Sequence, residues 1–210
     1  VVVGQFIGAN ALAAVGSSVS VINLLVGFFM GVSIGAGVVI SRRFGENDME
    51  GLSRAVHTTV AFGLAVSVLL TVVGTILTPY ILRWMDTPQS VLPQSIAYFR
   101  IFFLGVTTMI MYNIGSSIFR AMGDSTRPLY YLIISSCVNI VLDLLFVAKF
   151  GLGIEGAAWA TIIAQGTSMA LTFARLMRID GPHRVQIKKI RFHRGELGEI
   201  VNLGLPSGLQ

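Results

Sequence analysis

Residues 128–148 read PLYYLIISSCVNIVLDLLFVA, a stretch in which Asp143 is the only charged side chain. A helix of about 20 apolar residues is long enough to cross roughly 30 Å of hydrocarbon. Four further stretches contain no Asp, Glu, Lys or Arg and are of similar or greater length: 11–41, 55–82, 101–119 and 156–174. The sequence therefore predicts an all-α protein, a polytopic transmembrane helical bundle.

The composition is typical of a membrane protein. Hydrophobic residues make up 54% of the chain and charged residues 12%, whereas soluble domains carry about 25% charged residues. The net charge of +5 would suit nucleic acid, but the basic residues lie between apolar stretches, so we expect contact with membrane lipids and no nucleic acid. The sequence contains no nucleophile–base spacing, phosphate loop or redox motif, so we expect neither an enzyme nor a cofactor.

We expect the chain to be part of a longer protein. Val1–Gly8 is typical of the end of one helix, and Leu203–Gln210 of the beginning of another. The predicted organisation is an N-terminal transmembrane bundle at 1–177, a basic cytoplasmic linker at 178–199, and the start of a helix of a second lobe at 200–210.

The basic residues predict the orientation in the membrane. Loops 42–54, 120–127 and 175–199 hold three, two and seven of the 15 Lys and Arg residues. Cytoplasmic loops of membrane proteins carry an excess of Lys and Arg. We therefore expect these three loops to be cytoplasmic in a multi-pass protein of the cell membrane.

Asp143 is the first candidate for function. The other nine acidic residues lie in loops or at helix ends, whereas Asp143 lies deep inside a predicted span. A carboxylate at the bilayer centre costs about 2.5–3.5 kcal/mol and usually marks an ion or proton path. Asn139 and Ser136 share one helix face with it. The alternative role of Asp143 is a hydrogen bond between packed helices.

The next span carries a second polar stripe, which includes Thr161 and Gln165. At about 1.5 Å per residue, Thr161 and Asp143 lie at matching depths below the turn that joins the two helices. A carboxylate, an amide and a hydroxyl at one level are suitable ligands for Na⁺ or a site for a proton. Ordinary hydrogen bonding between helices is the alternative for the stripe alone.

Isolated polar and small residues elsewhere are weaker indicators of function. Asn23 and Asn113 are candidates for lining a cavity, although helix packing is the favoured explanation. Gly31 and Gly35 continue a four-residue repeat that begins at Gly27 and permits close helix contact. His57, just inside the start of a helix, is expected to extend its ring toward the membrane surface.

Six short motifs resemble the multidrug and toxic compound extrusion (MATE) transporters, in order along nearly the whole chain. The motifs are GANALAAVG (8–16), SRRFG (41–45), RAMGD (120–124), NIVLD (139–143), GIEGAAWAT (153–161) and LGLPSG (203–208). The resemblance implies twelve helices in two six-helix lobes. This chain would hold most of the first lobe, from the end of helix 1 through helix 6, and the start of helix 7.

The resemblance also implies a function and a site. The function is export of drug-like, often cationic organic compounds in exchange for H⁺ or Na⁺. The ion site of the family's first lobe carries over to Asn139, Asp143 and Thr161. The family adds an aspartate on helix 1, which would precede Val1.

The residues leave two other functions open. A lipid-linked oligosaccharide flippase of the same superfamily would need cationic side chains in its cavity, and no predicted span contains a central Arg or Lys. A membrane protein with no transport activity, either a structural subunit or an intramembrane enzyme, is the other. An enzyme would need a second reactive group at the depth of Asp143, and the sequence offers none.

Overall fold

The computed structural model describes residues 31, 33–84, 89 and 92–208, which are mainly helical and form no β-strand. Val1–Gly8, Asn23 and Gly27 lie outside this part of the chain. Among the described residues, a six-residue π-helix, Leu144–Lys149, follows the fourth of six α-helices, and a 3₁₀ turn, Ile187–Lys189, precedes the last. The α-helices are α1 (33–45 in its described part), α2 (Met49–Trp84), α3 (Leu92–Ala121), α4 (Thr126–Asp143), α5 (Gly153–Arg178) and α6 (Arg194–Gly208). The predicted all-α bundle is confirmed.

Three of the described helices are long and apolar enough to cross a membrane: α2, α3, and α4 together with the π-helix. They contain the predicted spans 55–82, 101–119 and 128–148. The predicted span 156–174 lies within α5, which has 26 residues but is less apolar than the other three. Its polar stripe explains the difference, because Gln165 and several hydroxyl side chains lower the mean hydropathy.

Helix α3 lies at the centre of the bundle, between α2 and α5. One of its faces presents buried apolar side chains every three or four residues, among them Phe99, Phe103, Val106, Ile110 and Ile114. This spacing produces a continuous apolar stripe on a helix. Helix α4 packs on α5 at the edge of the bundle, and Pro128 and Ser135 are its buried residues.

The predicted close helix contact is present at Gly35. A Cβ atom at this position would overlap the backbone of Gly204 and lie 2.8 Å from the carbonyl oxygen of Ile200. The absence of a side chain therefore lets α1 and α6 touch through their backbones, as small residues do in membrane helices.

The three basic loops lie at one end of the bundle. Ser41 donates a hydrogen bond to the carbonyl of Ala121 at 3.3 Å. Arg43 pairs with Glu196 and Glu199 of α6, with N–O distances of 3.4 and 3.2 Å. These contacts join the C-terminal ends of α1 and α3 to each other and the end of α1 to the first two turns of α6.

The structure corrects two details. Helix α6 begins at Arg194, before the predicted position 200, because Glu196 in its first turn complements the helix dipole and pairs with Arg43. His57 is 1% exposed rather than extended toward the surface.

Candidate functional site

A cavity of about 180 Å³ lies between α4 and α5. Four of the polar residues chosen from the sequence line it: Ser136, Asn139, Thr161 and Gln165. The cavity therefore brings together members of the two polar stripes, whereas Asp143, which the sequence places at the depth of Thr161, does not line it.

Two hydroxyl groups that line this cavity donate hydrogen bonds to backbone carbonyls of their own helices. Thr161 donates to the carbonyl of Ala157 at 2.9 Å, and Ser136 donates to the carbonyl of Leu132 at 2.9 Å. A hydroxyl that donates its proton keeps lone pairs on oxygen. The cavity thus contains hydroxyl oxygens that can accept a hydrogen bond or coordinate a cation.

A second group of polar atoms is buried without a partner. Within the described residues, Asn139 Nδ2, Asp143 Oδ1 and Gln165 Oε1 have no hydrogen-bond partner. Buried polar atoms are nearly always paired, so such a group requires an explanation. The Asp143 and Gln165 atoms are oxygens, which suit Na⁺ or a proton. Rotating the Asn139 amide by 180° would present its oxygen as well.

Asp143 occupies a different position from the other candidates. It is partly buried and lies one helical turn beyond Asn139, outside the lining of the 180 Å³ cavity. The π-helix begins directly after it, at Leu144. Such segments are rare and often occur at functional sites. The structure therefore places the carboxylate beside the cavity and next to an irregular helical turn.

Tyr98 of α3 is a neighbour that the sequence analysis missed. Its half-buried phenol lies within electrostatic range of the Asp143 carboxylate. A single tyrosine near the start of a long apolar helix has no spacing that distinguishes it from a core residue. Packing of α3 against the other helices brings the two side chains within this range.

Thr161 and Gln165 face a second cavity of about 110 Å³, which also contacts apolar residues of α3 such as Phe102 and Met109. Asn113 does not line either of these cavities in the described part of the chain. Its amide donates to the carbonyl of Met109 at 2.9 Å, within its own helix. The Asn113 amide thus has a partner within its own helix, and Asn23 lies outside the described residues.

Comparison with known proteins now identifies the family. A family model described as MatE matches residues 1–145. The chain belongs to the MatE family. This MatE chain is 33% identical over 216 residues to the Probable multidrug resistance protein YoeA of Bacillus subtilis (strain 168), with 99% of this chain and 46% of YoeA covered. The chain thus spans about half the length of the curated relatives it matches.

Solved MATE structures have the same fold. An inward-facing multidrug resistance MATE family transporter of the MOP superfamily superposes with a TM-score of 0.92 and 27% identity, covering 99% of this chain and 48% of that one. An outward-facing structure gives a TM-score of 0.91 with the same identity, covering 99% and 46%. The sequence resemblance to MATE transporters and the helical membrane fold are therefore confirmed. The roles of Asn139, Asp143 and Thr161 stay predictions.

Proposed function

We propose that the full-length protein is a secondary active antiporter of the cell membrane. It exports drug-like, often cationic organic compounds in exchange for H⁺ or Na⁺. The observation that carries this proposal is the group of unpaired buried polar atoms on Asn139, Asp143 and Gln165, in a chain of the MatE family. The multidrug resistance name of the relative YoeA supports the substrate class.

The similarity to two conformations supports the transport mechanism. The same helices superpose on an inward-facing and an outward-facing transporter with TM-scores of 0.92 and 0.91. A bundle that fits both states equally well is expected to move as one body. Alternating access in transporters built from repeats is largely motion of one bundle against another. The proposed cycle therefore requires the second lobe.

We assign the coupling ion to Asp143, with Asn139 and Thr161 as neighbouring ligands and Gln165 as an additional oxygen donor. A cation beside Asp143 would compensate the cost of holding a carboxylate within the membrane. Binding or release of that cation changes the charge between α4 and α5, and this change would bias the packing of the bundle. The basic loops 42–54, 120–127 and 175–199 face the cytoplasm in this proposal.

The test is transport by the full-length protein in liposomes. Efflux of a fluorescent organic cation is measured with an imposed gradient of protons, of Na⁺, or of neither. Asp143→Asn removes the proposed ion ligand, and Asp180→Asn, an exposed linker residue, is the matched control.

We expect efflux to follow one of the two gradients and to fall at least tenfold in Asp143→Asn, while Asp180→Asn transports normally. Undiminished efflux in Asp143→Asn would reject the role of this carboxylate. Movement of a lipid-linked oligosaccharide without movement of organic cations would instead support the flippase alternative.

A further inference from the structure

A larger cavity, about 550 Å³, lies between the start of α2 and the linker that joins α5 to α6. Its charged lining residues come from both segments. They are Glu50 and Arg54 from α2, and Lys188, Lys189 and Arg191 from the linker. This cavity is separate from the candidate ion site between α4 and α5.

Two buried polar residues of α2 hold the linker in place. The His57 ring donates from Nδ1 to the carbonyl of Ser53 at 2.7 Å, and its Nε2 accepts from the backbone N–H of Gln186 at 3.0 Å. Thr58 Oγ1 accepts from the backbone N–H of His193 at 3.3 Å. His57 and Thr58 are 1% and 0% exposed. The cavity wall is therefore built by specific hydrogen bonds at residues 186 and 193.

Three basic side chains of the linker lie between residues 186 and 193, and they form no ion pair within the described residues. Lys188, Lys189 and Arg191 are exposed, and in the described part of the chain none forms an ion pair with a carboxylate. Arg54 is different, because it lies 3.7 Å from Glu50 and 3.8 Å from Glu196. The cavity thus holds an excess of positive charge, which an anion would neutralise.

The position of the cavity indicates which anion is available. Arg54 lines the cavity, and the apolar stretch 55–82 begins at the next residue. The cavity therefore lies where α2 passes from its polar start into its membrane-spanning part. Basic pockets at this level bind phosphate-bearing lipid headgroups.

We propose that this cavity binds a phosphate group, either the headgroup of an acidic phospholipid or a soluble phosphate, through Lys188, Lys189 and Arg191. The site is distinct from the transport function and does not depend on the proposed coupling ion. Its specificity comes from the fixed path of residues 186–193 rather than from the overall positive charge of the linker.

The experiment compares lipids bound to the purified full-length protein. Phosphatidylglycerol or phosphatidylcholine of equal chain length is titrated into delipidated protein, and native mass spectrometry counts the lipids bound. A separate calorimetric titration uses inorganic phosphate alone. The cavity variant is the triple change Lys188→Gln, Lys189→Gln and Arg191→Gln.

A matched control removes three exposed cations from the same region that do not line the cavity: Arg178→Gln, Arg184→Gln and Arg194→Gln. Since each Lys or Arg near a charged headgroup contributes roughly a fivefold gain in affinity, the cavity variant should bind phosphatidylglycerol roughly 100-fold more weakly. The control should retain its binding. The charge-preserving variant Lys188→Arg/Lys189→Arg should also retain it, which separates loss of charge from loss of fold.

Each outcome decides the proposal. Selective loss of phosphatidylglycerol in the cavity variant, with no binding of inorganic phosphate, supports a lipid headgroup. Binding of inorganic phosphate that the same variant loses supports a soluble ligand. Equal weakening in the cavity and control variants would mean that only general surface charge acts, and unchanged binding in the cavity variant would exclude the site; both results overturn the proposal.

Discussion

Replacing Arg43 with Gln tests how α6 is attached to the rest of the bundle. The Arg43 side chain is 19% exposed and that of its partner Glu196 is 6% exposed. Removing one member of a buried ion pair costs about 3–5 kcal/mol, whereas exposed pairs contribute about 0–1 kcal/mol. Arg54 still lies 3.8 Å from Glu196, so we expect an intermediate loss of about 2–3 kcal/mol.

The assay is unfolding of the full-length protein in detergent, followed at low and high salt. Arg42→Gln is the matched control, because the Arg42 side chain is 56% exposed and should contribute less than about 1 kcal/mol. In a double-mutant cycle, Arg43→Gln and Glu196→Gln should couple by about 1–2 kcal/mol. Strict additivity of these two changes, or an equal effect of Arg42→Gln, would refute the reasoning.

Three further changes test packing, hydrogen bonding and pH dependence. Gly35→Val should lower the free energy of unfolding by more than about 2 kcal/mol, because a side chain there overlaps α6. Gly45→Ala should have little effect, since no atom lies within 4 Å of its Cβ position. Thermal unfolding compares the two variants. Ser135→Ala removes a 2.6 Å hydrogen bond to α5 and should lower the free energy of unfolding by about 1 kcal/mol. An equal loss of stability in Ser136→Ala, which breaks a hydrogen bond within α4, would contradict this expectation. Burial lowers the pKa of His183 below its usual value of about 6.5. The folded protein therefore favours the neutral imidazole. This contribution to stability is present above about pH 6.5 and is lost as the pH falls. His183→Gln should reduce this acid sensitivity in unfolding measurements between about pH 7 and pH 5, and unchanged sensitivity would exclude His183 as its source.

Helix periodicity explains why much of the candidate site is predictable. Once α4 and α5 are antiparallel neighbours, the rise per residue determines which side chains share a level. Ser136 and Asn139 on α4, and Thr161 and Gln165 on α5, line one cavity because each pair shares a helix face. The depth argument is less successful, because it pairs Thr161 with Asp143, which lies outside the lining of this cavity.

Features that depend on packing between distant segments could not be predicted in this way. Tyr98 approaches Asp143 only because α3 occupies the centre of the bundle. The π-helix after Asp143 changes the local geometry without an obvious residue pattern. The burial of His57 depends on the path of a linker whose Gln186 is 129 residues away in sequence.

The most direct test of the proposed mechanism is ion binding by the full-length protein. Equilibrium binding of radioactive Na⁺ and proton uptake after a pH step are measured in parallel for the wild type, Asp143→Asn and Asp180→Asn. We expect the wild type and Asp180→Asn to bind one cation per molecule that Asp143→Asn does not bind. If Asp143→Asn takes up as many sodium ions and protons as the wild type, Asp143 is not the coupling site and the antiport mechanism proposed for this lobe is wrong.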